Sequence, residues 1–107
     1  MERVRALCMA REGVSEKPSH GEPTWWVAGR TFVMFANNHH GDGRIAVWLP
    51  VQADLRPALL EQAPGTFFIP PYVGTRGWIG MVLDAISDGD LAYYIRNAWQ
   101  RVAHRAR

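Results

Sequence analysis

The 107-residue sequence has one cysteine, one lysine and no long apolar run. A single cysteine, Cys8, can form neither an internal disulfide nor a cysteine-based metal cage, which excludes the small disulfide-rich folds. No segment approaches the ~20 apolar residues needed to cross a bilayer, so we expect no membrane partner. Because the first residues lead into no apolar stretch, the sequence predicts no signal peptide. These absences together favour a protein of the reducing cytoplasm.

The small net charge of the sequence also limits what can be predicted about its partners. The formal net charge is only +2 although the pI is 9.1, because the basic residues other than Lys17 are all arginines. A net charge this small does not by itself predict nucleic-acid binding. Its distribution is more suggestive, since the last stretch of the chain is rich in basic residues. These are Arg96, Arg101, His104, Arg105 and Arg107.

The composition is that of a globular protein. Hydrophobic residues make up 48% of the sequence and charged residues 21%, whereas a disordered chain would have fewer apolar residues and a larger net charge. A chain of this length buries roughly 65% of its unfolded surface, which is enough for a core without cross-links. We therefore predict one domain over residues 1–107.

Hydrophobic periodicity and turn residues predict eight elements. Helices are expected over residues 2–11 and 54–63 and from residue 87 onward. Strands are expected over 24–27, 31–36, 44–49, 66–69 and 78–83. Asp54 is placed to cap the second helix, and Ser87 with Asp90 forms a weak capping box for the third. The order predicts a two-layer α+β domain with an antiparallel sheet and its helices packed on one face.

Several segments resemble the MmcQ/YjbR-like family. They are GEPTW at 21–25, GRTFV at 29–33, FFIPPYVGTRGWIG at 67–80 and AWQRV at 98–102. The third is the most specific, because Pro-Pro-Tyr-Val-Gly running into Gly-Trp is uncommon by chance. The resemblance covers nearly the whole chain and implies the same order of elements, similar to secretion-chaperone-like domains. It also implies a predicted DNA-binding role through a double-wing motif.

The alternation of side chains along the strands predicts an aromatic sheet face. If the aliphatic sets of the third and fifth predicted strands face the helices, Trp48 and Trp78 point to the other side, and Trp25 or Trp26 joins them. A two-layer domain leaves that face partly uncovered, and exposed tryptophans stack bases or anchor a protein partner. The alternative is that loops or a second copy of the chain cover the face.

Three arginines lie at or near strand ends. Arg30, Arg44 and Arg76 are candidates for phosphate contacts, with pairing to nearby carboxylates as the ordinary alternative. Tyr72, in the stiff 70–74 connection, completes the predicted binding set with these arginines and the tryptophans.

No catalytic or metal-binding set can be assembled from the sequence. His39 and His40 lie on a polar hairpin loop, and adjacent histidines chelate poorly without a third fixed ligand. His20 lies near carboxylates but has no nucleophile beside it. Cys8 lies on the apolar stripe of the first helix and is expected to be a buried, unreactive thiol. We therefore expect no cofactor, no metal and no enzyme activity.

Two kinds of partner remain for a binding domain. Double-stranded DNA is favoured by the family label, the pI and the arginines of the last helix. A protein partner, or a second copy of the chain, is favoured by the apolar character of the predicted open face.

Overall fold

The computed structural model describes the backbone of residues 1–105 and the side chains of residues 1–104. The side chain of Arg105 and the whole of Arg107 lie outside the described residues. The helices are α1 (Glu2–Met9), α2 (Leu55–Gln62) and α3 (Asp88–Arg105). The strands are β1 (Ser15–Glu16), β2 (Thr24–Val27), β3 (Arg30–Asn37), β4 (Ile45–Pro50), β5 (Phe67–Phe68) and β6 (Trp78–Val82). Short 3₁₀ turns occur at His39–Gly41, Val73–Arg76 and Leu83–Ala85.

The strands form one antiparallel sheet in the order β1-β2-β3-β4-β6-β5. This confirms the predicted α+β class and the order of the larger elements. The two-residue strand β1 extends the sheet beyond β2. It lies in the segment 14–23, for which the sequence predicts mostly loop and leaves a short edge strand open. Within residues 1–105, no helix is long and apolar enough to span a bilayer.

A tight turn closes the β2–β3 hairpin. Ala28 and Gly29 have φ values of 53° and 76°, the left-handed pair of a type I′ turn, whose twist matches that of the flanking strands. A bulge between Trp25 and Trp26 interrupts the pairing with β3. The turn places Arg30 at the first position of β3, at one end of the sheet.

The main core lies between the sheet and the helices. Val47 and Leu49 of β4 and Ile79 and Met81 of β6 are buried in it, as the predicted alternation requires. The helices contribute buried side chains at helical spacing, namely Val4 and Cys8 of α1, Leu59 of α2, and Leu91, Ile95, Ala98 and Val102 of α3.

The helix ends follow the sequence in one case and depart from it in another. The Oγ of Ser87 accepts a hydrogen bond from the backbone N–H of Asp90 at 3.2 Å, which confirms the predicted N-cap of α3. The predicted cap at Asp54 is wrong, because Asp54 has helical φ and ψ and its side chain caps no N–H. The N–H of Leu55 instead bonds to the carbonyl of Gln52 at 3.0 Å.

A second, smaller core lies on the opposite face of the sheet. Its buried members are Ala36, Ala46, Trp48, Phe68, Val73 and Trp78. Two loops, residues 38–44 and 69–77, fold over this cluster, and we call them the loop cover. The Nη1 of Arg56 fastens the second loop, since it donates to the carbonyl oxygens of Gly74 at 2.7 Å and Trp78 at 2.9 Å.

Candidate functional site

Trp48 and Trp78 lie on the sheet face opposite the helices, as predicted, but they are not accessible. Their exposed fractions are 6% and 3%. The expectation of exposed indoles is therefore wrong, and its stated alternative, a face covered by loops, is the observed arrangement. The physical reason is that two large apolar rings on a sheet lose favourable burial if left in water, and the loop cover supplies that burial.

The two halves of the loop cover meet at a hydrogen bond. The Nε2 of His40 lies 2.9 Å from the hydroxyl oxygen of Tyr72, and the ring of His39 packs edge-on against Trp48 at 5.0 Å between centroids. The predicted solvent-exposed hairpin loop therefore lies partly against the sheet. Tyr72 itself is 68% exposed, so it is an accessible side chain on top of the cover.

Trp25 does not share a surface with the other predicted residues. Its ring is fully buried in the main core, on the helix side of the sheet. Its indole N–H donates to Oε1 of Glu16 at 3.1 Å, and Arg5 donates to both carboxylate oxygens of the same residue. The hydrogen bonds from Arg5 hold the pKa of the Glu16 carboxyl below its usual value. Trp25 thus packs the core and anchors β1.

Arg44 lies in the loop cover and away from Arg30 and Arg76. Its guanidinium carbon is 4.1 Å from the centroid of the Phe68 ring, and its Nη1 is 3.9 Å from Oδ2 of Asp42. This is the ordinary alternative that the sequence left open for such arginines, pairing with a neighbouring carboxylate.

Arg30, Arg76 and Trp78 do come together, around a groove at the end of the sheet where the loop cover stops. The volume of this groove is about 230 Å³. We call it the basic groove. Its lining residues are Trp26, Arg30, Thr31, Pro50, Arg76, Trp78 and Val102.

Two cations lie against the indole rings that line the basic groove. The guanidinium carbon of Arg76 lies 5.1 Å from the ring centroid of Trp78, and the Nζ of Lys17 lies 4.4 Å from that of Trp26. Both distances are within the ~6 Å range of cation–π attraction. Arg30, the third cation, is exposed beside the β2–β3 turn.

Among the described residues that line the basic groove, none is a carboxylate. Among the described side chains, no acidic oxygen lies within 4.0 Å of the charged nitrogens of Arg30, Arg76 or Lys17. The positive charges at this end of the sheet are therefore not neutralised locally, and they are available to an anion from solution.

The sequence missed Lys17 and Thr31 and left Trp26 as an alternative to Trp25. Trp26 is fixed by a hydrogen bond from its Nε1 to the carbonyl of Lys17 at 3.0 Å, and it is paired with Thr31 across β2 and β3. Lys17 follows β1, and this two-residue strand is too short for its pairing with β2 to be predicted from periodicity. Strand alternation alone places Trp25 and Trp26 on opposite faces, so one of them had to face the groove.

The other candidate groups stay apart from the groove. Cys8 is fully buried, and burial, with a smaller contribution from the charge of Glu16, raises the pKa of its thiol. Over the described part of the chain, no group of three or more His, Cys, Asp or Glu side chains is placed to hold a metal ion. The basic groove is thus the arrangement with the clearest chemistry, and it is suited to binding an anion.

The fold and the groove define a small α+β domain with an anion-attracting end. The YjbR family model matches residues 9–101, and the chain belongs to that family. A search of curated proteins finds no match. The crystal structure of the Deinococcus radiodurans protein DR2400, with a DUF419 domain, is similar, with a TM-score of 0.83 and 14% identity. The match covers 97% of this chain and 78% of that one. At this identity the likeness shows the fold alone.

Proposed function

We propose that this chain is a non-enzymatic binding domain that contacts the phosphate backbone of double-stranded DNA through the basic groove and its rim. The observation that carries the proposal is the pair Arg30 and Arg76, which line a groove that no carboxylate of the described residues lines. Lys17 adds a third cation against the ring of Trp26, which also lines the groove. Arginine and lysine contacts to phosphate supply most of the affinity of non-specific DNA binding.

The charge distribution along α3 also favours anion binding at the end of the molecule that carries the basic groove. Asp88 and Asp90 lie in the first turn of the helix, whereas Arg101 and His104 lie in its last turns. Val102, between these basic residues, lines the groove. The basic end of α3 is therefore the end nearer the groove, and its acidic first turn lies at the other end of the helix.

One hairpin has the geometry of a wing. The β2–β3 turn, with Ala28, Gly29 and Arg30 all exposed, lies at the edge of the groove. The β3–β4 connection, in contrast, folds back as part of the loop cover. The proposal therefore uses one projecting hairpin together with the groove, instead of two symmetric wings.

A binding role is proposed in place of catalysis because of the groove's chemistry. Guanidinium, ammonium, indole and hydroxyl groups attract and orient an anion, but they include no group that serves as a general base near neutral pH. A protein partner at the aromatic sheet face has less support, since the loop cover occupies that face.

The test is a titration of fluorescently labelled duplex DNA at several salt concentrations. We expect binding at about 50 mM salt that weakens linearly in log–log form, with a slope of about −0.9 per phosphate contacted. Arg30→Gln and Arg76→Gln should each weaken binding and reduce the slope by about one contact. Arg96→Gln, which removes the same charge from an exposed position outside the groove, is the matched control. Absence of binding at about 50 mM salt would overturn the proposal.

A further inference from the structure

The size of the basic groove limits what can enter it. Its volume, about 230 Å³, lies below the range of about 300 to 1,000 Å³ that is usual for pockets enclosing a whole small molecule. A duplex can touch the rim of such a groove but cannot enter it. The groove fits one compact group, with the remainder of the ligand outside.

The charge of the groove selects among phosphate groups. An internal phosphodiester carries one negative charge, whereas a phosphate monoester carries about −1.5 to −2 at neutral pH and presents three acceptor oxygens. Arg30 and Arg76 line the groove, Lys17 lies against the ring of Trp26, and none of the described residues that line the groove is a carboxylate. Two guanidinium groups match the charge of a monoester better than that of a diester, and each can donate two parallel hydrogen bonds to it.

The walls suit the organic part of such a ligand. Pro50 and Trp26 are only half-buried, so part of the proline ring and part of the indole ring are available at the groove. Thr31 adds a hydroxyl that donates or accepts a hydrogen bond. An accessible indole beside the arginines can stack against the sugar and planar base of a ligand that lie outside the groove while its phosphate is bound inside.

From these features we infer that the basic groove binds the 5′-phosphate monoester of a nucleotide, either free or at the end of a DNA strand. The inference deepens the proposed function and rests on it where the source of the phosphate is DNA. In a DNA ligand, the terminal phosphate binds in the groove, and the internal phosphates contact its rim.

Calorimetric titration of the unmodified protein tests the chemistry, with AMP and adenosine as matched ligands. AMP should bind and adenosine should not, because only AMP carries the phosphate. Arg30→Gln and Arg76→Gln should each weaken AMP binding by about tenfold or more, as loss of a charge-assisted contact does, and Arg96→Gln should not. Arg30 and Arg76 are exposed, so circular dichroism should show all three variants folded.

Duplexes with 5′-phosphate and 5′-hydroxyl ends, compared in the same buffer, distinguish the sources. Tighter binding of the phosphorylated duplex supports the inference for DNA ends. AMP binding without duplex binding supports it for a free nucleotide and overturns the proposed DNA function. Equal, salt-dependent binding of both duplexes with no AMP binding overturns the inference and keeps the DNA function. No binding of any of these ligands overturns both.

Discussion

The ring of Phe68 lies against the Cα of Gly80, on the sheet face opposite the helices. A Cβ added at Gly80 would lie 2.5 Å from Cε2 and 2.7 Å from Cε1 of that ring, with Cζ closer still. The two residues are paired between β5 and β6, and the absence of a side chain at Gly80 is what allows the ring to lie flat on the sheet. This contact is the base of the loop cover.

Replacing Gly80 with alanine should therefore destabilise the protein. The ring of Phe68 is buried and cannot move aside without disturbing Val73 and Trp78, so we expect a loss of about 1–3 kcal/mol, as for other overpacked cores. Urea unfolding measures it. Gly65→Ala is the control, because nothing lies within 4 Å of the added carbon there. Equal stability of the two variants would contradict this account of the contact.

Arg56 should be important for stability although it is a charged residue on a helix. Its Nη1 satisfies the carbonyls of Gly74 and Trp78, both of which are buried residues. Arg56→Met keeps much of the aliphatic bulk but leaves these acceptors without their donor, which costs about 1–3 kcal/mol. Thermal and urea unfolding should show the loss, and the exposed Arg96→Met should not.

The same variant should also affect the basic groove. The turn that Arg56 fastens ends at Arg76, whose guanidinium lies at the groove. We expect Arg56→Met to weaken the binding of AMP even under conditions in which the protein is fully folded. Unchanged AMP affinity, with a folded spectrum, would show that Arg76 is positioned without this turn.

Glu16 should make stability depend on pH in the acid range. The folded protein holds its carboxyl pKa below the usual value, chiefly through hydrogen bonds from Arg5, so the ionised form stabilises the fold. That contribution is present above the unfolded pKa, about 4.3, and is lost as the pH falls through the lower folded pKa. The stability difference between the native protein and Glu16→Gln should therefore shrink as the pH falls below about 4.

Glu61→Gln, at an exposed position of α2, is the control for this measurement. Urea unfolding midpoints at a series of pH values give the curve. A difference between the native protein and Glu16→Gln that stays constant down to the lowest pH would show that the ion pair with Arg5 does not contribute in the folded state.

Cys8 should be unreactive until the protein unfolds. The thiolate is the reactive form, and burial both raises the thiol pKa and blocks access. An aromatic disulfide reagent should label the denatured protein within minutes and the native protein only at the rate of opening. Rapid labelling under native conditions would mean that α1 separates readily from the core.

The sequence was sufficient to predict which side chains lie on each face of the sheet, but not which of them are exposed to solvent. Alternation along β4 and β6 correctly assigned Val47 and Ile79 to the helix side and Trp48 and Trp78 to the other. It could not show that loops would bury the indoles. The path of a loop is set by tertiary contacts, here the bonds of Arg56 and the His40–Tyr72 pair, which join residues far apart in the chain.

The groove was likewise only partly predictable. Arg30 and Arg76 were chosen separately because each follows or precedes a predicted strand. Their meeting at one groove depends on β6 lying beside β4, and strand order is not encoded in any local pattern. Lys17 could not be found, since the two-residue strand before it has no periodicity to detect.

The order of the strands has a consequence for how the protein folds. Because β6 inserts between β4 and the edge strand β5, the sheet cannot be completed by adding successive hairpins. The β4–β6 pairing closes a loop that contains α2 and β5, which favours later formation of this pairing than of the local hairpins. Arg30 and Arg76 come from the two sides of that late closure. A partly folded chain would therefore have both arginines but no complete groove, and if the groove binds a nucleotide as inferred above, that binding would require the finished sheet.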